Sequence, residues 1–268
     1  MPETEQRRFT LTPLAELLRS DEPDSLHSMA IMHGEDWEWK TWGDIIHSVK
    51  TGESAFDRVF GQDLFSYLES NSEAASIYDK SMRGVASQIS GAVTAAYNFS
   101  GIHKLVDVGG GDGTFLTAIL NANPTMQGIV YERPQVIERT REVIKAAKLE
   151  SRCECTKGDF FQSVPGGGDA YIPMRIIHDW DDEHATNILK NIHSAMTENS
   201  KLLIVEMVIP SGNQPFFGKL LDIEMLVLGG GKERTEAEYR ALLKAAGFKL
   251  TKIVPTESPM SVIEGVRD

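Results

Sequence analysis

The chain has 268 residues, more than one small domain needs and fewer than two average domains contain. Hydrophobic residues make up 41% and charged residues 25%, which is typical of a globular protein and excludes wholesale disorder or collagen-like repeats. The net charge of −12 disfavours nonspecific binding to nucleic acid or to an anionic membrane, and no apolar run reaches the ~18 residues of a membrane span. We therefore expect neither a nucleic-acid partner nor a membrane partner.

Cysteine usage indicates a reducing environment. The two cysteines, Cys153 and Cys155, are too few for a disulfide framework, and their spacing places both on the same face of a predicted strand. We expect free thiols and a cytoplasmic protein.

The first hundred residues predict a mainly helical region. A short helix is expected at Pro13–Leu18, with proline in its first turn, and a second helix is expected to run from a cap at Ser25 to Met32. A third helix is predicted over Thr41–Ile46. The longest is predicted over Ser72–Asn98, because its apolar residues recur at steps of three and four.

From residue 101 to residue 268, strands and helices alternate. Strands are predicted at Lys104–Val108, Gly128–Glu132, Cys153–Lys157, Ala170–Met174, Leu202–Ile209, Lys249–Pro255 and Ser261–Val266, with helices at Thr114–Leu120, Pro134–Ala147, Asp181–Met196 and Glu236–Ala246. This order predicts an α/β domain with a doubly wound, mostly parallel sheet, and the short final turn predicts an antiparallel strand at the end. We therefore divide the chain into a helical region, 1–100, and an α/β domain, 101–268.

The clearest local motif is the glycine-rich segment Leu105–Gly113. A strand that runs into glycines and then into a helix lets the backbone approach a ligand at the carboxyl edge of the sheet. Gly109, Gly111 and Gly113 fit the pattern G-x-G-x-G, whereas the dinucleotide fingerprint G-x-G-x-x-G/A would place Thr114 at its last position. The spacing thus favours a methyltransferase over a nicotinamide-dependent enzyme, and a tight turn without a ligand is the plainer alternative.

An acidic residue, Glu132, ends the next predicted strand. A carboxylate at this place can accept two hydrogen bonds from a ribose diol. A lone glutamate at a strand end is often only solvated, but its combination with the glycine loop favours the binding role.

Three further motifs make a family resemblance specific. They are Gly158–Phe161, Arg175–Trp180 and Gly230–Thr235. With the glycine loop, they make the chain similar, from about Phe9 to its end, to the S-adenosylmethionine-dependent O-methyltransferases of the caffeic acid and acetylserotonin type. That family includes bacterial relatives that methylate aromatic natural products, and it has a class I methyltransferase fold.

The resemblance implies a role for individual residues. For S-adenosyl-L-methionine it implies a site formed by Gly109, Gly111, Gly113, Glu132, Gly158, Asp159, Phe160 and Arg175. It makes His178 the catalytic base, with Glu206 and Glu233 as the acids that flank or orient it. It assigns the pocket for a small hydroxylated aromatic acceptor to Tyr78, Met82, Asp222 and Met225. The sequence departs from the family pattern at Glu132, where aspartate is usual, and at Asp112, where threonine or serine is frequent.

The family resemblance also bears on partners. Family members begin with a winged-helix dimerisation domain that lends a pocket wall to the partner subunit, and the present sequence starts near the end of that domain. We expect a homodimer or a complex with a partner protein, in which a second chain covers apolar residues that are predicted to be exposed. These are Leu14, Leu17, Leu18, Leu26, Met29, Trp37, Trp39 and Trp42.

The chemistry of methyl transfer agrees with a histidine base. A phenol has a pKa of about 10, so a base whose pKa is about 6.5 is useful at neutral pH, and a carboxylate on the far nitrogen fixes the tautomer. Several acidic residues and His184 follow His178 closely in the sequence and could in principle bind a metal. Acidic residues at the start of a helix are mainly capping residues, however, so we expect no catalytic metal. A non-methylating or regulatory member of the fold and a nicotinamide-dependent oxidoreductase remain the alternative functions.

Overall fold

The computed structural model describes residues 9–22 and 25–268, so the first eight residues of the predicted helical region and residues 23 and 24 lie outside the described residues. Among the described residues, seven helices precede the sheet: α1 (Pro13–Glu16), α2 (His27–Met32), α3 (Asp36–Gly43), α4 (Ile45–Thr51), α5 (Ala55–Phe60), α6 (Leu64–Ser70) and α7 (Ser72–Ala96). None of the described helices is both long and apolar enough to cross a lipid bilayer.

Strands and helices then alternate to the end of the chain. The strands are β1 (Lys104–Val108), β2 (Gln127–Glu132), β3 (Cys153–Lys157), β4 (Ala170–Ile172), β5 (Lys201–Ile209), β6 (Arg234–Thr235), β7 (Phe248–Pro255) and β8 (Met260–Arg267). The helices are α8 (Thr114–Ala122), α9 (Pro134–Ala146), α10 (Asp182–Ala195), α11 (Phe217–Gly229) and α12 (Glu236–Ala245), with a short 3₁₀ helix at Ile177–Asp179.

The sheet has the predicted doubly wound topology. Its order is β3-β2-β1-β4-β5-β8-β7, and β6 pairs separately with β5. Strands β1 to β5 are parallel, whereas β8 runs antiparallel to both β5 and β7. The predicted α/β fold class is confirmed. Because the carboxyl ends of parallel strands meet at one edge, the loops after β1, β2, β4 and β5 converge there.

Burial on both faces explains why the central strands are so apolar. Leu105 and Val106 are both fully buried and point to opposite faces of β1, where they join different hydrophobic clusters. One cluster includes residues of α7 and α8, and the other includes residues of α10 and α12. Helices on both faces thus hold the carboxyl edge of the sheet in place.

A third hydrophobic cluster joins the N-terminal helices to α11. Trp37 from α3 and Phe56 from α5 pack in the same cluster as Val227 and Leu228 from α11. Ser54 strengthens this contact, because its hydroxyl donates to the carbonyl oxygen of Val227 at 3.3 Å. Helix α11 therefore connects the two regions of the chain, although their division into separate domains stays a prediction.

Several predictions for the N-terminal helices are wrong. Thr41 does not open a helix but lies inside α3, where its hydroxyl donates to the carbonyl oxygen of Trp37 at 2.8 Å. Such bonding to the preceding turn lets threonine sit within a helix. Ser25 is not the cap of α2, which begins at His27, although the hydroxyl of Ser25 accepts the His27 N–H at 3.0 Å. No helix is predicted from the sequence at α5, α6 or α11.

Candidate active site

Two cavities adjoin each other at the carboxyl edge of the sheet. The larger, about 430 Å³, lies over the glycine loop, and the smaller, about 260 Å³, lies between the N-terminal helices and α11. The two share wall residues, which are Asp63, Phe65, Tyr78, Met82, Arg175, Asp179 and Trp180. Two ligands bound side by side would therefore meet at this shared wall.

The backbone after β1 requires glycine where it borders the larger cavity. Gly109 has φ of +72°, and a Cβ built there would lie 2.5 Å from Cδ1 of Ile176. A Cβ at Gly110 would lie 2.7 Å from the carboxyl group of Asp107. Gly111 has φ of +56° and leaves open space around the position of a Cβ. Only glycine allows this close, left-handed path, which leaves room for a ligand against the backbone.

Glu132 lies where the sequence predicts it, at the end of β2 in the wall of the larger cavity. One carboxylate oxygen accepts the Gly111 N–H at 2.9 Å, and the other accepts the Arg133 N–H at 2.7 Å. Burial raises the pKa of Glu132, although these backbone donors and Arg133 oppose the shift. The carboxylate is thus already aligned with the glycine loop.

Asp159, Phe160 and Arg175 complete the predicted walls of the larger cavity. Arg175 has a φ of +54°, which is unusual for a residue with a side chain. Its Nε is buried without a hydrogen-bond partner among the described residues, and its Nη1 lies 3.7 Å from Sδ of Met82. Since unpaired buried donors are costly, this guanidinium is suited to an anionic ligand group.

His178 lies in the 3₁₀ helix after β4 and is 1% exposed. Its Nδ1 is 2.6 Å from Oε1 of Glu233 and 3.6 Å from Oε2 of Glu206. Its Nε2 is 3.4 Å from Oδ1 of Asp179, a residue that lines both cavities. The imidazole is therefore bracketed by carboxylates and lies one side chain behind the shared wall.

Glu206 holds the backbone around His178 from the side of the sheet. Its Oε1 accepts N–H groups from Ile176 at 3.0 Å, Ile177 at 2.9 Å and His178 at 3.4 Å. Burial raises the pKa of Glu206 to about 7, although His178 opposes the shift. The carboxylate thus positions the 3₁₀ helix as well as the imidazole.

The three carboxylates change the acid–base properties of the histidine. Burial alone would lower the pKa of His178, but Glu206, Asp179 and Glu233 outweigh it and raise the pKa to about 9. The sequence analysis expected a value close to that of free histidine. The difference arises because three acids act on one imidazole: Asp179 from the same motif, Glu206 from β5 and Glu233 from the loop before β6, and together they outweigh the effect of burial.

Arg234 holds the same segment from the opposite side. It is fully buried, and it donates to the carbonyl oxygens of Ile177 at 3.0 Å and Trp180 at 2.8 Å. Its Nε and Nη2 also bond to Oδ1 of Asp182 at 3.1 Å and 2.9 Å. The motif after Gly230 therefore supplies both a partner for the imidazole, Glu233, and a clamp for its backbone.

The acidic residues that follow His178 in the sequence cap helix α10 or form ion pairs. Asp181 caps α10 by accepting the His184 N–H at 2.8 Å, as predicted, and His184 is exposed. Asp182 pairs with Lys232 and Arg234.

Ligand atoms of His178, Glu206 and Glu233 do lie within 4.8 Å of one another, an arrangement that could hold a metal ion.

Some predicted site residues lie in the cavity walls and others do not. Tyr78 and Met82 line both cavities, and Met225 lines the smaller one. Asp222 instead accepts the Glu233 N–H at 2.9 Å and so anchors the loop after α11. Gly113 and Gly158 also lie outside the described walls. Gly113 is the N-cap residue that precedes α8, and a Cβ at Gly158 would collide with the ring of Tyr131.

Several residues of the cavity walls are not among those predicted from the sequence. Asp179 and Trp180 belong to the same motif as His178, so adjacency could have indicated them. No periodic signal marked the contributions of the N-terminal helices and of α11, which are Met32, Trp37, Asp63, Leu64, Phe65, Glu224, Leu228 and Gly229.

Ion pairs attach the long helix α7 to the far rim of the larger cavity. Arg83 pairs with Asp112 of the glycine loop, and Asp79 pairs with Arg139 of α9. All four residues line the cavity. Helix α7 thus forms one wall of the site, so residues before the sheet are needed to enclose a ligand.

Comparisons with known proteins agree with this geometry. The O-methyltransferase domain family matches residues 39–249. A phenazine O-methyltransferase of Lysobacter antibioticus is 44% identical over 262 residues, covering 98% of this chain and 76% of that protein. The crystal structure of LaPhzM, 44% identical, has a TM-score of 0.94 and covers 99% of this chain and 80% of that one. The SAH-bound structure of CalO1, a methyltransferase in calicheamicin biosynthesis, is 32% identical, with a TM-score of 0.88 and coverage of 99% and 80%. The chain belongs to the O-methyltransferase family.

Proposed function

We propose that this protein transfers the methyl group of S-adenosylmethionine to a hydroxyl group of a small aromatic acceptor. The observation that carries the proposal is the meeting of two cavities at a wall that contains Arg175 and Asp179, directly in front of His178. One cavity has the glycine loop of a nucleotide-type ligand, and the other is mostly apolar. Reactants held side by side lose little further entropy on the way to reaction.

The larger cavity fits S-adenosylmethionine. The glycine loop would pass beneath the methionine part, Glu132 would accept hydrogen bonds from the ribose, and Asp159 with Phe160 would face the adenine. The guanidinium of Arg175, whose Nε lacks a partner among the described residues, would meet the carboxylate. The bound sulfonium supplies an electrophilic methyl group and a good leaving group. The SAH-bound state of CalO1 supports this assignment.

His178 is proposed as the general base. Glu233 fixes the imidazole through Nδ1, so Nε2 is the nitrogen that faces the shared wall. A pKa of about 9 is close to the pKa of a phenol, so proton transfer from the acceptor hydroxyl is nearly balanced. Glu206 and Glu233 are positioning residues that stabilise the imidazolium after transfer.

The smaller cavity is the proposed acceptor site. Met82 and Met225 offer soft, adaptable side chains, and Phe65 packs edge-on against Tyr78 with ring centroids 6.4 Å apart. Such walls suit a flat aromatic molecule. The phenazine substrate class in the name of the relative from Lysobacter antibioticus supports an aromatic acceptor here.

The direct test is incubation of the purified protein with labelled S-adenosylmethionine and a panel of phenols. Methylated product is the expected result, together with micromolar-range binding of the cofactor in calorimetry. Heat from NAD with none from S-adenosylmethionine would contradict the proposal in favour of a nicotinamide enzyme. Cofactor binding without product for any phenol would favour a non-methylating or regulatory role.

Replacing Glu132 with alanine is expected to weaken S-adenosylmethionine binding by about 1–3 kcal/mol, because charge-assisted hydrogen bonds to the ribose are lost. Calorimetry measures the change. The exposed Glu142 on α9 is the matched control, since it lines neither cavity, and Glu142→Ala should bind as the wild type does. Unchanged affinity in Glu132→Ala would remove Glu132 from the cofactor site.

Chelation is expected to leave turnover unchanged, even though His178, Glu206 and Glu233 are close enough to hold a cation. The reason is that the imidazole already bonds to Glu233, and Glu206 already accepts three backbone N–H groups. Assays with and without EDTA measure the effect. Activity lost in EDTA and restored by magnesium would instead indicate a catalytic metal.

We further propose that a second chain, in the simplest case another copy, covers part of the N-terminal helices. Most of the large apolar residues that are exposed in the described structure lie before residue 50, namely Phe9, Leu11, Leu14, Leu17, Leu18, Ile31, Trp39, Ile46 and Val49. Concentrated apolar surface is typical of an interface. The prediction that Trp37 is exposed is wrong, because it is 3% exposed in the third hydrophobic cluster, and Leu26, Met29 and Trp42 are half-buried and not exposed. The free thiols of Cys153 and Cys155 support a cytoplasmic location.

A further inference from the structure

A single carboxylate faces the acceptor cavity away from the proposed methyl-transfer position. Seven of the described residues line the smaller cavity but not the larger one: Met32, Trp37, Leu64, Glu224, Met225, Leu228 and Gly229. Glu224, half-buried on α11, is the one ionisable residue among these seven. No hydrogen bond to its carboxylate is found among the described residues, so its oxygens are available to a ligand.

Two further polar residues, Glu38 and His33, lie close to Glu224. Ligand atoms of Glu224, Glu38 and His33 lie within 4.8 Å of one another. Nδ1 of His33 is 3.2 Å from Oε1 of Glu38, which also accepts a hydrogen bond from Nε1 of Trp42 at 3.3 Å. Two carboxyl groups and one imidazole therefore meet at this end of the cavity, and of the two carboxyl groups only Glu38 is bonded to the imidazole.

Two buried polar atoms in the same place have no hydrogen-bond partner among the described residues. Glu38 is 2% exposed, and its Oε2 has no partner among the described residues. Trp37 lines the cavity, and its buried Nε1–H also has no partner there. Buried polar groups without partners destabilise a fold, and they are commonly explained by a ligand, an ion or water.

We propose that Glu224 accepts a hydrogen bond from a second donor group, a hydroxyl or an amino group, on the aromatic acceptor. The proposal rests on the proposed function, because it takes the smaller cavity as the acceptor site. The residues near the methyl-transfer position, Arg175 and Asp179, line both cavities, whereas Glu224 lines only the smaller one. The second donor therefore lies on the part of the ring system remote from the hydroxyl that is methylated.

Two naphthols test this selectivity. 1-Naphthol has one hydroxyl, and naphthalene-1,5-diol has a second hydroxyl at the opposite end of the same ring system. We expect the wild type to have a higher kcat/KM for the diol. Glu224→Met, which keeps the length of the side chain, should lower the ratio of the two kcat/KM values about tenfold, mainly through KM of the diol. Glu224→Gln should lower it less, because an amide carbonyl still accepts a hydrogen bond.

Controls separate this role from a structural one and from a metal site. Glu142→Gln on the surface of α9 should keep the wild-type ratio, and far-UV circular dichroism should be the same for all variants. An equal loss for both naphthols in Glu224→Met, or no preference for the diol in the wild type, would overturn the proposal. A preference that disappears in EDTA would also overturn it, because His33, Glu38 and Glu224 would then hold a cation.

Binding measurements keep the test independent of catalysis. Calorimetric titration of each naphthol into protein saturated with S-adenosylhomocysteine should give tighter binding of the diol to the wild type than to Glu224→Met. If no phenol is methylated but this difference in affinity is found, the proposed function fails while the role of Glu224 holds. If methylation occurs but the two proteins bind the diol equally, the role of Glu224 fails alone.

Discussion

Replacing His178 with glutamine is expected to lower kcat by about 10²–10⁴-fold, the usual contribution of a general base. Glutamine keeps a polar side chain of similar reach but cannot accept the proton of the acceptor hydroxyl. Cofactor affinity should stay nearly unchanged, because His178 lines neither cavity directly. Transfer of labelled methyl groups measures turnover, and calorimetry with S-adenosylmethionine is the internal control. Turnover equal to that of the wild type at pH 9, where a base of this pKa is about half unprotonated, would exclude His178 as the base.

The pH profile gives the same prediction a second readout. The surrounding carboxylates raise the pKa of His178 to about 9, so the free enzyme holds an imidazolium at neutral pH. A base acts only when unprotonated, so kcat/KM of the wild type should rise with pH and level off above 9. The residual rate of His178→Gln should instead follow ionisation of the phenol itself, at a pKa of about 10. A wild-type profile that is flat from pH 6 to 9 would contradict this assignment.

The sheet could be predicted from sequence because its central strands are buried on both faces and therefore contain mostly apolar residues. Lys104–Val108 has the bounds that the sequence predicts, since a strand between two helical layers is mostly apolar. The edge strand Cys153–Lys157 also has the predicted bounds, although it contains glutamate and lysine. The long helix α7 was also predictable, because 25 residues give a clear period. Only its end differed, at Ala96 instead of Asn98.

The short N-terminal helices were not predictable in the same way. Helices α5 and α6 have six and seven residues, too few to establish a period, and packing on distant partners such as Val227 stabilises them. Thr41 resembled a helix start because threonine is a common cap, but the buried turn around Trp37 satisfies its hydroxyl instead.

Some residues of the candidate site could also be predicted from sequence, and others could not. Motif residues such as Gly109, Glu132 and His178 could be placed from sequence, because each belongs to a strand end that the fold brings to one edge. Asp222 was assigned to the acceptor pocket because of its motif, yet its carboxylate bonds to the backbone of Glu233. Glu224 could not be identified in advance, because its role depends on a cavity formed with α2 and α3, which are distant in sequence.

Replacing Gly231 with alanine tests how tightly the backbone around His178 is held. A Cβ at Gly231 would lie 2.2 Å from the carbonyl oxygen of His178 and 2.6 Å from the carbonyl carbon of Asp179, so backbone must move. The segment cannot shift freely, because Glu206 binds its N–H groups and Arg234 binds its carbonyl oxygens.

We therefore expect Gly231→Ala to lower kcat about 10²-fold, because a displacement of about 1 Å misaligns the base, and to lower the free energy of unfolding by about 1–3 kcal/mol. Cofactor affinity should change much less, since the glycine loop after β1 is not touched. Gly166→Ala, in the loop before β4, is the matched control, because a Cβ there would meet only the carbonyl oxygen of Ala195 at 3.6 Å. Methyl-transfer assays and urea denaturation measure both effects. Wild-type turnover in Gly231→Ala would mean that the loop after α11 yields instead, and that His178 does not depend on this contact for its position.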